Sequence, residues 1–458
     1  MSARAGIALG LWAGLSLIGF EGLLTAQESE TKSSLELQID EIVAPYLAAR
    51  DFMGVVAVQQ GDEAALILPY GLANAELDVP HQPSDIFMIG SVSKQFTAAA
   101  VLLLEQDGLL RTDDPVSKHL PGFAHGDEIA IEQLLTHTSG VADIYSLERF
   151  GDSAGQGGTF EEVIADLGEM DLTHPPGAAY AYSNGGYSLL AAIIERASGA
   201  TYGEYLERRI FKPLGMGSTA HDTPGPVVRH RVPGYDPWGP DNLTRVTPIS
   251  AAFSTGSGSL WSSAADLLVW STALHNGEIL GDEAYRKLVH DYGHGYGYGV
   301  SVFRRFGRDV LGHDGRVAGY ASDVARYLDD RVSILVLSNV QSVARDEIRR
   351  WVAAAVFGEP YSVPPQRRYS DLQDVPIDDL VGVYSFGSAL SVTLIESDER
   401  LLARANEGGY SELIPVSETE WFSRLLYTTV RFGRDDEGSI DRLLWGPGDQ
   451  PPSGRRMR

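Results

Sequence analysis

Strand-type sequence stands at both ends of one long stretch of this chain, with helix-type sequence between. Met53-Gly54-Val55-Val56-Ala57-Val58 and Ala64-Ala65-Leu66-Ile67-Leu68 flank Gln60-Gly61-Asp62-Glu63, which predicts a hairpin over 53–70. Strand patterns return over 296–338 and end in the apolar run 332–339. Between them, helical spacing is read at about 161–170, 186–198, 202–211, 263–276 and 282–290. Helical patterns at 35–50 and 344–357 bracket the whole. Strands at the two ends and helices in the middle predict one sheet assembled from both ends of an α+β domain over 33–357.

A Pro-rich, polar stretch over 358–376 reads as a linker. Over 377–450 the pattern changes to short alternating runs, such as Leu390-Ser391-Val392-Thr393-Leu394-Ile395 and Thr428-Thr429-Val430-Arg431-Phe432. Their spacing predicts a small antiparallel barrel or sandwich. The last residues, 454–458, are read as a frayed tail. A length of 458 residues accommodates one large and one small domain.

The formal net charge is −26, from 36 basic and 62 acidic residues, which argues against a nucleic-acid partner. Cysteine is absent, which excludes disulfides, thiolate metal sites, a Cys nucleophile and a lipoprotein anchor. Arg4, the apolar run 6–20 and Thr25-Ala26-Gln27 predict a signal peptide over 1–26, cleaved near Ala26, and a product exported to the periplasm or beyond. The competing reading is an uncleaved anchor; Glu21 and the glycines of the run weigh against it. No other run is long enough to span a bilayer, so no stable span is expected after cleavage.

Lysine is scarce: five of the 36 basic residues. One of the five, Lys94, follows Ser91 by three positions in Ile89-Gly90-Ser91-Val92-Ser93-Lys94. Arg keeps its proton in proteins, whereas Lys gives it up when desolvated. Residues three apart share a helix face, so Lys94 can take a proton from Ser91 and make it a nucleophile. The Ala/Leu-rich run 96–104 predicts a buried helix that ends near Asp107-Gly108, with Ser91 at its N-terminus. The other reading is an ordinary Ser at the start of a core helix. A second S-x-x-K, Ser29 to Lys32, lies in a polar run and reads as incidental.

Two further clusters carry chemistry. Tyr182-Ser183-Asn184 follows the turn His174-Pro175-Pro176-Gly177 and precedes an amphipathic run, which places Tyr182 in a loop before a helix. A phenol there serves as a proton relay if a cation such as Lys94 lowers its pKa. His313-Asp314-Gly315-Arg316 follows an apolar strand pattern, with glycine for close approach of a ligand. The structural alternatives are a packed Tyr at a helix entrance and a buried, hydrogen-bonded His.

In this order the three clusters resemble the motifs of the serine β-lactamase and penicillin-binding superfamily. The chain is most similar to its class C-like branch of D-alanyl-D-alanine carboxypeptidases, D-aminopeptidases, esterases and class C β-lactamases. Asp113 to Pro121, Leu134-Leu135-Thr136-His137-Thr138-Ser139-Gly140, Phe211-Lys212-Pro213-Leu214-Gly215-Met216 and Gly258 to Leu267 extend the likeness over roughly 35–357. The resemblance implies an antiparallel sheet flanked by helices with a mostly helical insert, followed by a lipocalin-like β-barrel. It also implies that Ser91 is acylated, Lys94 is its base and Tyr182 relays protons. Asn184 would bind the substrate amide, and the N–H groups of Ser91 and Arg316, beside Gly315, would form an oxyanion hole. His313 stands where the family's third motif carries Lys. A neutral His offers no fixed charge to a substrate carboxylate, so ester or D-amino-acid peptide substrates are expected ahead of β-lactams.

Three rivals remain. Gly151-Asp152-Ser153-Ala154-Gly155 matches the G-x-S-x-G elbow of α/β-hydrolases, but lacks the strand before it and the helix after it, and reads as a surface loop. A non-turnover penicillin sensor would keep the same pocket. A metal hydrolase finds no H-E-x-x-H spacing, and neither metal nor cofactor is expected. The expected partner is a small-molecule or peptide substrate; the sequence leaves the oligomeric state open.

Overall fold

The computed structural model describes residues 32–153, 157–223, 225, 227–363, 377–387, 390–406, 409–417, 419–446 and 451–457. The leader, Ser29 and most of the linker lie outside these residues.

The two strand-type ends meet in one sheet. Six antiparallel strands run in the order Ser301–Arg305, Arg308–Val317, Tyr320–Tyr327, Val332–Ser338, Gly54–Gln60 and Leu66–Tyr70. Gly54 pairs with Ser338 and Val58 with Ile334, so the sheet's middle joins the two ends of the domain. Tyr320–Tyr327 and Val332–Ser338 are buried at every position, because helices cover both faces. Side-chain alternation sorts them. Val56, Val58, Ile334 and Val336 face the helices Ser34–Ala48 and Ala344–Phe357, while Val55, Ala57, Leu335 and Leu337 face the helical insert.

Local sequence explains the helix limits. Ser33 accepts the Glu36 N–H and the Glu36 carboxylate accepts the Ser33 N–H, a capping box that starts Ser34–Ala48. Ser183 caps Asn184–Ser198, and Gly199, at φ 67°, ends it in the left-handed conformation that glycine adopts without strain. The helix Ser93–Gln106 is buried from Ser93 to Leu104 and forms the central post of the insert. The helices read at 161–170, 186–198, 263–276 and 282–290 form as Phe160–Glu169, Asn184–Ser198, Ala264–His275 and Asp282–Val289, whereas the short helices Ile131–Leu135 and Ala251–Ser254 lie where no helix is read.

The C-terminal part is a closed antiparallel barrel of eight strands, from Gly382–Ser385 to Ser453–Arg456. Here the tail reading fails and the barrel runs past 450. Ser453–Arg456 pairs with Ile440–Trp445 on one side and Gly382–Ser385 on the other, closing the barrel. Its interior is filled by Tyr384, Leu394, Leu413, Trp421, Val430 and Leu443.

The barrel docks through Arg424, which is 2% exposed. Its Nε meets the buried Asp51 carboxylate at 2.6 Å. Its Nη1 donates to the carbonyls of Gly239 and Asn242 at 2.8 and 2.9 Å, and Nη2 to that of Ala49 at 2.7 Å. A guanidinium has enough fixed donors to satisfy all of these at once.

Candidate active site

Ser91 lies in a 3-10 turn, Gly90–Val92, that leads directly into the helix Ser93–Gln106. This places Lys94 in the first helical turn with its ammonium beneath the Ser91 hydroxyl. Ser91 is half-buried and reachable; Lys94 is fully buried. Lys94 Nζ makes three contacts: Ser91 Oγ at 3.0 Å, Asn184 Oδ1 at 2.8 Å and the Ser257 carbonyl at 2.8 Å. Burial lowers its pKa from 10.5 to about 7, against the opposing pull of Asp143 and Asp314.

Proton counting gives the consequence. The Ser257 carbonyl and Asn184 Oδ1 only accept. A neutral amine spends its two N–H groups on them, and its lone pair then faces Ser91 Oγ, whose hydroxyl donates. Asn184 is oriented for this by Asp143, whose carboxylate accepts from the Asn184 backbone N–H at 2.9 Å and from Nδ2 at 3.0 Å.

Tyr182 stands across from Lys94, with Nζ 4.8 Å from its ring centre. The residue is 38% exposed, while its hydroxyl is buried and bonds to Ser91. The sequence alone predicts that Lys94 lowers the phenol's pKa. The structure gives the opposite sign: desolvation raises it well above the ordinary value, Asp314, Tyr187 and Asp143 add to the rise, and only the contact with Ser91 opposes it. Tyr182 is therefore a neutral hydroxyl, able to donate and accept, rather than a phenolate.

His313 lies inside the strand Arg308–Val317, buried, with Asp314 and Arg316 on the exposed side. Its Nδ1–H donates to the Asp314 carbonyl at 2.5 Å, since that oxygen only accepts. Nε2 is then free to accept the Tyr296 hydroxyl at 2.8 Å. Burial lowers the His313 pKa to about 4, Asp314 opposes this and Lys94 reinforces it. The ring is neutral across the physiological range, as the sequence reading has it.

Gly315 and Arg316 run along the backbone of residues 89–91. A Cβ at Gly315 would lie 2.1 Å from the Ile89 carbonyl and 3.0 Å from Ser91 N, and one at Gly90 would lie 2.8 Å from Arg316 N. Gly90 also has φ 50°, a conformation that favours glycine. Both positions therefore require glycine for the two segments to approach so closely.

Five predicted residues thus meet in one cleft, Ser91, Lys94, Tyr182, Asn184 and His313, with the backbone of Gly315 and Arg316 beside them. The rival Ser153 falls in a short helix, Glu148–Ser153, where the sequence reads a surface loop, and no strand leads into it as an elbow requires. Lys32 of the second S-x-x-K meets Asp40 at 2.5 Å, while Ser29 lies outside the described residues.

Asp143, His137 and Tyr296 are the residues that sequence reasoning missed. His137 is buried at the centre of a ring cluster, 4.2 Å from Tyr182 and 4.8 Å from Tyr296 between centroids. Its Nδ1 accepts the Ser183 N–H at 3.1 Å and its carbonyl accepts the Ala181 N–H at 2.9 Å, so it holds the turn that carries Tyr182. Burial keeps it neutral, pushing its pKa well below the ordinary value. Its only sequence signal was its place in the segment Leu134 to Gly140; Asp143 and Tyr296 had none.

A Ser-x-x-Lys helix packed beneath an antiparallel sheet, faced by a Tyr-x-Asn turn and a His-x-Gly strand, is the architecture of the serine β-lactamase and penicillin-binding fold. The chain belongs to the Beta-lactamase family, whose model matches residues 39–359. It is 28% identical over 427 residues to penicillin-binding protein 4* of Bacillus subtilis, spanning 87% of this chain and 94% of that one. It is 29% identical over 324 residues to a D-aminopeptidase of Gluconobacter oxydans, covering 69% and 60% of the two chains. The fold extends further: the octameric penicillin-binding protein homologue of Pyrococcus abyssi superposes with a TM-score of 0.64 at 23% identity, over 92% of this chain and all of that one.

Proposed function

We propose that the protein is an exported serine hydrolase that works through an acyl-enzyme on Ser91. It cleaves D-amino-acid peptides or amides, or carboxylic esters, in preference to β-lactams. The observation that carries this reading is Lys94: a fully buried lysine whose Nζ lies 3.0 Å from Ser91 Oγ, with burial lowering its pKa to about 7. In the first step Ser91 Oγ attacks the carbonyl carbon and its proton passes to Lys94 Nζ. The carbonyl oxygen becomes an oxyanion between the N–H groups of Ser91 and Arg316, each worth roughly 3–4 kcal/mol to the transition state. Neutral Tyr182 then carries a proton to the leaving amine or alkoxide, and the acyl group stays on Oγ. Water releases it by the reverse proton route.

Preference over β-lactams rests on His313. Its neutral ring, occupied by Tyr296 and the Asp314 carbonyl, offers no cation to a substrate carboxylate. The D-aminopeptidase relative lends support to the peptide reading. Nitrocefin, a p-nitrophenyl ester and a D-alanine p-nitroanilide, assayed on wild type and Ser91→Ala, test the ranking. Turnover of the ester or anilide ahead of nitrocefin is expected, with none in Ser91→Ala; strong nitrocefin turnover overturns it. Export rests on the leader over 1–26 and is tested by the N-terminal mass of the mature protein.

A further inference from the structure

Behind the His313–Arg316 strand lies a guanidinium with no assigned task. Arg345, in the first turn of the helix Ala344–Phe357, is 2% exposed. Its Nε donates to the Ser322 carbonyl at 2.8 Å and its Nη2 to the Asp314 carboxylate at 2.6 Å. Ser322 pairs with Gly315 across the sheet, and its hydroxyl donates to the Ile89 carbonyl at 2.7 Å, two residues before Ser91. Arg345 therefore ties the strand carrying His313, Gly315 and Arg316 to the strand beside it, and the Ser322 hydroxyl carries the link on to the chain leading into Ser91. The turn before Arg345 is itself pinned by the barrel. Ser342 Oγ donates to the Arg424 carbonyl at 2.7 Å and the Val343 N–H to that of Leu425 at 3.0 Å.

We propose that Arg345 is a positioning residue for the acylating site, holding the Asp314 carboxylate and the Gly315–Ser322 strand pair in register with Ser91 and screening Asp314 from Lys94. The inference rests on the assignment of Ser91 and Lys94 above.

The charges support a specific signature. Asp314 is one of two carboxylates that pull Lys94 upward; the other is Asp143. The remaining groups facing Lys94 are Tyr182, Tyr187, His137 and His313, the histidines kept neutral by burial. Burial opposes ionisation of Asp314, but His313, charged only in the acid range near pH 4, and the guanidinium groups of Arg345 and Arg316 outweigh it and hold its pKa below the ordinary carboxylate range. Arg345 also faces Asp346 at 3.7 Å and senses Asp323, which is paired with Arg349 at 2.7 Å. Removing Arg345 leaves Asp314 unscreened and raises the Lys94 pKa; removing the Asp314 charge lowers it.

The test is the acid limb of kcat/KM for the best substrate of the panel, in the full chain. Arg345→Met is expected to move the limb up by about half a pH unit and Asp314→Asn to move it down by about as much. The double variant returns it near wild type, and Arg345→Lys, which keeps the charge, restores most of it. The double variant lacks both charges of the pair, so it serves as the control for folding by urea denaturation. A limb unmoved by either single substitution, or moved the same way by both, overturns the proposal. Activity that survives Ser91→Ala overturns instead the assignment on which it rests.

Discussion

Replacing Lys94 by Met is expected to abolish turnover and, at neutral pH, to stabilise the protein. Lys94 is fully buried and its pKa falls from 10.5 unfolded to about 7 folded. At about 1.4 kcal/mol per pH unit, burying it costs roughly 4–5 kcal/mol at pH 7. Its contacts with Ser91, Asn184 and the Ser257 carbonyl offset part of this, at about 1 kcal/mol each. Methionine fills similar volume without the charge, so a net gain on the order of 1–2 kcal/mol at pH 7 follows. The sign of the pH dependence is fixed by proton counting. Between pH 7 and 10.5 the unfolded chain binds more protons at this site, so wild-type stability rises with pH across that window. Below pH 7 both states are protonated and the cost is constant. The advantage of the variant therefore shrinks on raising the pH and reverses before 10, where only the lost hydrogen bonds remain. Urea denaturation of both proteins at pH 7 and pH 9.5 measures it. A stability difference that does not change between the two pH values would refute the reasoning, as would a variant that keeps wild-type turnover.

Wild-type kcat/KM is expected to fall about tenfold per pH unit below pH 7, because only neutral Lys94 accepts the Ser91 proton; a pH-rate profile flat from 5 to 8 would exclude that role. Gly315→Ala drives a methyl into the Ile89 carbonyl and Ser91 N, so the strand must shift; it is expected to cost on the order of 100-fold in kcat/KM and to lower stability in urea by about 1–3 kcal/mol. Arg424→Met removes the guanidinium that meets the buried Asp51 carboxylate at 2.6 Å and is expected to cost about 3–5 kcal/mol in urea denaturation. A fluorophosphonate should label Ser91 in wild type and in Ser153→Ala, and nothing in Ser91→Ala; peptide mass mapping locates the adduct.

The sequence made Ser91 and Lys94 legible because three positions on a helix is a fixed geometry, and the apolar run behind them told the buried copy from the exposed one. The neutrality of His313 was legible from its residue type alone. The sign of the Tyr182 shift was not, because burial of its hydroxyl and the charges of Asp314, Tyr187 and Asp143 beside it depend on how distant segments pack. Asp143, Arg345 and Arg424 were invisible for the same reason: each acts on an element far along the chain. Ser453–Arg456 was misread because a short, charged segment closing a barrel needs no apolar alternation of its own. It has partners on both sides, and Gly454 passes tightly against Phe386.

Pairing Gly54 with Ser338 has a consequence in time. A ribosome adding roughly 5–20 residues per second leaves the first strand waiting tens of seconds for its central partner. Until then Gly54–Gln60 pairs only with Leu66–Tyr70, as an apolar hairpin with one edge open. Contacts so distant along the chain form slowly even when all of it is present. The sheet beneath the active site can close only late in synthesis or after it. For a chain threaded through a membrane unfolded, that delay is an advantage. For one expressed in a cytosol, the open hairpin is the segment a chaperone must cover.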